Sequence, residues 1–128
     1  MRLSEQIKEF EDQLELNFSH AIEGVGRYRV NLYRQRGDIA MVVRYIKNSI
    51  PQIEELNLPR ILESRIMEPR GLILVVGATG SGKSTTLASM LDYRNQNKSG
   101  HILTIEDPVE YAHEHKKSIV DQREVGLD

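Results

Sequence analysis

The sequence contains no cysteine, which excludes disulfides and thiolate metal sites and is compatible with a reducing cytosol. It has no apolar run long enough to span a bilayer and no secretory pattern at its N-terminus, so a soluble chain is expected. Charge of one sign is also lacking: the formal net charge is −2 with 28% charged residues. Nothing there marks a nucleic-acid-binding tail or an acidic arm, and a pI near 6.1 leaves only a local basic patch as a route to nucleic acid. Repeats and low-complexity segments are absent. At 128 residues the chain is long enough for one ordinary domain and short of two complete ones.

What is present centres on one stretch, Leu72-Ile73-Leu74-Val75-Val76 followed by Gly77-Ala78-Thr79-Gly80-Ser81-Gly82-Lys83-Ser84-Thr85. Gly77 through Ser84 fit the phosphate-binding loop pattern G-x-x-x-x-G-K-[ST] without a gap. Glycines let the backbone curl around a phosphate with no Cβ in the way. Successive N–H groups form an anion nest, to which the following helix adds the positive end of its dipole. Lys83 can reach β- and γ-phosphates, and the Ser84 hydroxyl is placed to ligate Mg²⁺. With glycine near 7% of average usage, a random chain of this length shows the bare pattern on the order of once in a few hundred sequences. The apolar run before it and the helix-compatible segment after it favour nucleotide binding over an accidental turn.

Taken in order, Ser4–Gln13 is predicted helical, since Leu3, Ile7, Phe10 and Leu14 recur at helical spacing and Ser4 can cap the start. Leu14–Phe18 alternates as a strand, and Glu23–Gly26 is a turn signal. A second strand over Arg27–Arg36 puts Tyr28, Val30 and Leu32 on one face and Arg27, Arg29, Asn31 and Tyr33 on the other. Arg36-Gly37-Asp38 turns the chain into a third strand, Ile39–Ile46, and the three suggest an antiparallel meander. Residues 48–59 carry two prolines and mark a linker and domain boundary. A short helix is expected from Pro59 to about Met67, ended by Glu68-Pro69. The pattern then changes: Leu72–Val76 predicts a buried parallel strand covered on both faces, Thr85–Arg94 a helix, and His101–Ile105 a second strand. This strand–helix–strand unit should cross over right-handed. Ser118–Gln122 is a candidate for one strand more.

Glu106-Asp107-Pro108 follows the second parallel strand, at the carboxyl end where ligands of open α/β sheets collect. A carboxylate there can orient an attacking water or hold Mg²⁺ directly or through water; a solvated acidic turn is the competing reading, and Glu110 reads as exposed charge. Arg27, Arg29 and Arg44 lie in the first module. An arginine that reaches a γ-phosphate stabilises charge developing in transfer, yet from spacing alone ordinary strand-surface charge is the better reading of these three. His113-Glu114-His115 invites a metal reading, but the adjacent Lys116-Lys117 favours a solvated loop. Met67 and Met90 read as core fillers.

The blocks Gly77–Ala88 and Thr104-Ile105-Glu106-Asp107-Pro108-Val109-Glu110-Tyr111 resemble the type II/type IV secretion ATPases, the second being similar to their aspartate box. Tyr93–Asn97, Ser99–Ile102 and Gln122–Asp128 resemble most the twitching-motility retraction ATPases of that family. Gly26–Val30, Arg44–Ile46 and Ile50-Pro51 resemble the arginine-bearing strands of its N-terminal PAS-like domain. The resemblance covers essentially the whole chain. It implies an α/β protein: residues 1–47 the end of a PAS-like α+β domain, 48–59 a linker, 60–128 the first part of a RecA-like P-loop ATPase domain.

By the same resemblance ATP and Mg²⁺ are the cofactors. The loop residues Gly77, Thr79, Gly80, Ser81, Gly82, Lys83, Ser84 and Thr85 bind nucleotide, Ser84 holds the metal, Glu106 is the catalytic glutamate, and Arg27, Arg29 and Arg44 act as arginine fingers. The implied protein is a cytoplasmic motor that couples ATP hydrolysis to pilus retraction. It forms a homo-hexamer or a hetero-assembly with a related pilus ATPase and works peripherally at the inner membrane on a pilus platform protein, with no nucleic acid. The Walker B strand, histidine box and C-terminal helices of that family are missing, as is the front of the PAS-like domain, so an internal fragment is expected that is inactive alone. The alternatives are a type II secretion or pilus-extension ATPase and a nucleotide-binding regulatory subunit that does not hydrolyse ATP. A P-loop small-molecule kinase is disfavoured by the preceding meander.

Overall fold

The computed structural model describes residues 3–126 and divides them into two compact units, one ending at Lys47 and one running from Asn48 to Gly126. In the first unit a helix, α1 (Leu3–Gln13), leads into three strands, β1 (Glu15–Ile22), β2 (Gly26–Gln35) and β3 (Asp38–Ile46). They pair in sequence order and antiparallel, as the alternation predicts. The second hairpin closes from Gln35 to Asp38 through Arg36 and Gly37, at φ 55° and 92°. Two successive positive φ values give the mirror-image turn whose twist matches the strands. The other turn starts β2 at Gly26, where a Cβ would come within 2.5 Å of the Tyr45 ring. That ring stands 5.4 Å from Tyr28 across the β2–β3 pair, an aromatic cross-strand contact that helps fix the register. Leu16, Val30 and Ile46 are the buried apolar residues here.

The second unit holds α2 (Ile61–Met67), α3 (Lys83–Asn97), β4 (Gly100–Glu106) and β5 (Ser118–Glu124). Residues 48–59 lie within it. Ile53 is buried there, and the Pro51 carbonyl accepts a 2.6 Å hydrogen bond from the Ser89 hydroxyl of α3. The turn that opens α2 starts at Pro59, whose carbonyl accepts from the Leu62 N–H. Glu68 ends the helix in an extended conformation, as a residue before proline must. Arg94 of α3 donates to the carbonyls of Ile66 and Glu68, and Lys98 to that of Met67. Two cations thus satisfy carbonyls that the end of α2 leaves over.

β4 and β5 run parallel, with Thr104 opposite Gln122 and Glu106 opposite Glu124. The period of two gathers Ile102, Thr104, Glu106, Val120, Gln122 and Glu124 on one face, which α3 and the 107–117 segment cover. Met90, Ile102, Tyr111 and Val120 form its core. The opposite face is bare: Leu103, Ile105 and Ile119 are 55%, 73% and 59% exposed.

One expectation fails. Leu72–Val76 enters no sheet among the described residues, and Leu72, Leu74 and Val76 are 82%, 73% and 85% exposed. The reason is pairing rather than propensity. A parallel strand is held by ladder bonds to neighbours at its edges, and no described strand lies along the apolar run to supply them. The expected strand–helix–strand crossover therefore does not form; the parallel pair that does form is joined by the helix-free segment 107–117.

Candidate functional site

Residues 77–82 lead directly into α3, whose N-cap is Gly82 in the left-handed region at φ 89°, ψ 14°. Gly80 is likewise at φ 78°. A non-glycine residue would strain at both positions, and no heavy atom lies within 4 Å of where their Cβ atoms would be. A Cβ at Gly77, by contrast, would come 2.6 Å from the Ser81 Oγ. The loop closes on itself through the Ser81 N–H to the Ala78 carbonyl at 3.2 Å, while the Lys83 ammonium donates to the same carbonyl at 2.8 Å. No side chain caps α3, so its leading N–H groups point out of the helix with no intrahelical acceptor. Thr79, Gly80, Ser81 and Ser84 are exposed. An open, glycine-rich cradle with an ammonium and a hydroxyl at a helix N-terminus fits a nucleotide phosphate and its divalent cation.

The cleft beside the start of α3 has a volume of about 370 Å³ and is lined by Ser84, Leu87, Thr104, Glu106, Asp107 and Tyr111 among others. The structure thus brings two of the sequence candidates, Ser84 and Glu106, to one cavity. Glu106 is the last residue of β4 and is half-buried. Its Oε1 accepts from the Thr104 hydroxyl at 2.7 Å and from the Gln122 amide at 2.9 Å. Thr85 shares a 2.9 Å hydrogen bond with the Tyr111 hydroxyl, which ties the first turn of α3 to the 107–117 segment. Glu110 is exposed, as expected.

The 113–117 stretch, expected as a solvated loop, is exposed from Glu114 to Lys117 and is also held by hydrogen bonds. Asn95 of α3, fully buried, donates from its amide to the Glu114 carbonyl and accepts from the Lys116 and Ser118 N–H groups. Asp92, also buried, takes the Lys116 ammonium at 2.7 Å. His115 Nδ1 accepts from the Val120 N–H, and the His113 N–H donates to the Gln122 side chain. Burial lowers the His113 pKa below the ordinary imidazole value, against the smaller opposing pull of Asp92 and Glu106, with Lys116 adding slightly to the lowering. Among the described residues no group of three or more histidine, cysteine or carboxylate side chains is arranged to hold a metal.

Arg27, Arg29 and Arg44 belong to the first unit. Arg29 lies directly across from Arg44 in the β2–β3 register, and Arg27 is two residues along the same face. Like charges placed opposite one another oppose pairing. Sequence reasoning missed Thr104, Tyr111, Asn95 and Gln122. Thr104 and Gln122 carry a signal only in the register, where they lie opposite one another once Ser118–Gln122 is paired with the preceding strand; Asn95 and Tyr111 carry none.

The fold and the loop define a mixed α/β protein with a phosphate-loop sequence at a helix N-terminus. A family model described as "Type II/IV secretion system protein" matches residues 39–128. The chain belongs to that family. It is 52% identical over 124 residues to the "Type IV pilus ATPase PilU" of Pseudomonas aeruginosa, a match covering 97% of this chain and 32% of that protein. It is 51% identical over 123 residues to the "Type IV pilus retractation ATPase PilT" of the same organism, covering 96% of this chain and 36% of that one. Among solved structures, that titled "Crystal Structure of the Pilus Retraction Motor PilT and Bound ADP" is 50% identical with a TM-score of 0.91, and covers all of this chain and 37% of its own. The Legionella pneumophila ATPase DotB is 28% identical with a TM-score of 0.72, over 93% of this chain and 35% of its own. The chain therefore spans about a third of the length of these relatives.

Proposed function

We propose that this chain is the nucleotide-binding part of a motor ATPase of type IV pilus retraction, with residues 1–47 the end of a PAS-like domain, 48–59 its connection, and 60–128 the start of a RecA-like core. The observation that carries the reading is the shared cleft, with the exposed Ser84 hydroxyl at the head of α3 and the half-buried Glu106 carboxylate at the end of β4. The relatives named above as pilus ATPases, one of them solved with ADP, support it.

In this reading the 77–82 backbone and the α3 N-terminus hold the phosphates of ATP, with Thr79, Ser81 and Thr85 contributing along the loop. Lys83 exchanges the Ala78 carbonyl for β- and γ-oxygens. Ser84 would hold Mg²⁺, which would neutralise charge on the nucleotide phosphates. Glu106 orients the attacking water and accepts its proton. Arg27, Arg29 and Arg44, from the first module, neutralise charge at a nucleotide as arginine fingers. Such an arrangement works in a closed ring, a homo-hexamer or a hetero-assembly with a related ATPase. The ring acts in the cytoplasm against a platform protein at the inner membrane, with no nucleic acid involved. Among the described residues no helix is long and apolar enough to cross a membrane.

Steady-state turnover and ATP calorimetry on the complete protein test this. Lys83→Ala should bind ATP at least about tenfold more weakly, since a charge-assisted contact contributes about 1.5–3 kcal/mol. Glu106→Gln should retain binding and lose turnover by about 10² or more. Arginine-to-alanine variants should lose turnover in the same assay. Unchanged affinity in Lys83→Ala rejects the phosphate loop. Near-normal turnover in Glu106→Gln removes the hydrolytic reading, and in the arginine variants removes the fingers.

A further inference from the structure

We propose that Gln122 is a positioning residue for the Glu106 carboxylate and joins it to the 107–117 segment; this rests on the reading of Glu106 as the group that orients water. Three hydrogen bonds converge on one amide. Its Nε2 donates to the Tyr111 carbonyl at 2.8 Å and to Glu106 Oε1 at 2.9 Å, and its Oε1 accepts from the His113 N–H at 2.8 Å. Two of these fix the amide's orientation without reference to Glu106. A backbone N–H can only donate and a backbone carbonyl can only accept, so the oxygen must face His113 and the nitrogen must face Tyr111. The second proton of the NH₂ group then points at the glutamate.

With the Thr104 hydroxyl at 2.7 Å, Glu106 Oε1 receives two donors. Two donors on one oxygen fix the plane of the group. Oε2 is left to take the water. Asp107 and Pro108 are further along the chain from Glu106 in the same cleft wall, and Tyr111 and His113 also line that cleft. Because the main chain at Tyr111 and His113 is tied to the same amide, a displacement of that wall is carried to the carboxylate. Gln122 thereby makes the geometry of Glu106 depend on the segment that encloses it.

A residue that only braced the segment would give a different result from one that positions Glu106, and the complete protein separates the two. Gln122→Leu removes all three bonds. Gln122→Glu keeps the acceptor for His113 and sets a carboxylate against Glu106. The expected result for Gln122→Leu is a kcat lower by about tenfold with KM and ATP affinity within about twofold, because the lost interaction serves the reacting water and not ground-state binding. Gln122→Glu should move the acid limb of the pH–rate profile upward, since a like charge beside Glu106 disfavours its ionisation. In a Glu106→Gln background, Gln122→Leu should cause no further loss, as residues acting as one unit are not additive.

An equal loss of turnover in both backgrounds, or an unmoved acid limb in Gln122→Glu with only the melting temperature lowered, overturns the proposal and makes Gln122 a structural brace. If Glu106→Gln alone turns over near normally, it is the role of Glu106 that fails, and the positioning role falls with it. A Gln122→Leu chain that does not fold leaves Gln122→Glu, near in shape, to decide through its pH profile.

Discussion

The 77–82 loop, which leads to Ser84 at one side of the cleft, and the Glu106 corner at the other are built by opposite means. The loop is backbone: Gly80 and Gly82 hold left-handed φ values, Gly77 leaves room for Ser81, and the internal bonds span three to five residues. The corner is side chains arriving from far along the sequence, with Gln122 sixteen residues from Glu106, and Asn95 reaching Glu114, Lys116 and Ser118 from α3. A backbone device is specified locally, residue by residue. A side-chain device exists only after the fold has formed, and it fails as a network.

The first way to break the comparison, and the largest in stability, is Asn95→Ala. It strands the Ser118 N–H in a buried setting and the Glu114 carbonyl and Lys116 N–H in part-buried ones. Leaving a buried polar group without a partner costs about 1–3 kcal/mol, and three such groups share the loss here with partial relaxation. Denaturant unfolding should show a loss of about 2–4 kcal/mol, and hydrogen exchange should quicken across 113–118 while the amides of 77–82 stay as they were. Exchange that quickened equally in the loop would mean the two devices are one cooperative unit.

Gly82→Ala probes the other side with a smaller effect. The new methyl meets open space but must sit at φ 89°, a left-handed strain of about 1–2 kcal/mol. The strain falls where the N–H groups converge, so ATP affinity should drop several-fold to about tenfold, with exchange at 113–118 untouched. A weakened 113–118 stretch in this variant would again merge the two regions.

This division also decides what could be read from the sequence. The loop was legible because glycine spacing is itself the mechanism, and the meander because alternation and Arg36-Gly37 dictate its pairs. Glu106 was legible as a candidate from its place after an apolar run. Gln122 and Asn95 were not, since nothing local to them signals a partner sixteen or more residues away. Leu72–Val76 shows the converse. Its composition is that of a buried strand, but a strand needs a ladder, and no described strand supplies one. Roles for Ser84, Glu106 and the arginines follow from the proposal above and stand with its tests.

The smallest expected effect concerns His113, where the corner should respond to pH and the loop should not. Its Nδ1 is buried with no hydrogen-bond partner in the described structure, and burial is the leading reason its pKa lies below the ordinary value of 6.5; Asp92 and Glu106 pull the other way and Lys116 adds to the lowering. A histidine whose folded pKa is depressed binds its proton more readily when the chain is unfolded. Stability is then fully present above the unfolded pKa and declines as pH falls from about 6.5 through the lower folded value. The ring is partly exposed, so screening keeps the linkage below about one proton per molecule. His113→Gln keeps the main-chain bond to Gln122 and removes the titration. A melting-temperature series from pH 7.5 to 5.0 on both proteins, in roughly half-unit steps, should show the parent falling faster than the variant below about pH 6.5. Parallel curves would show that the imidazole is solvated and that the corner, like the loop, carries no titration of its own in that range.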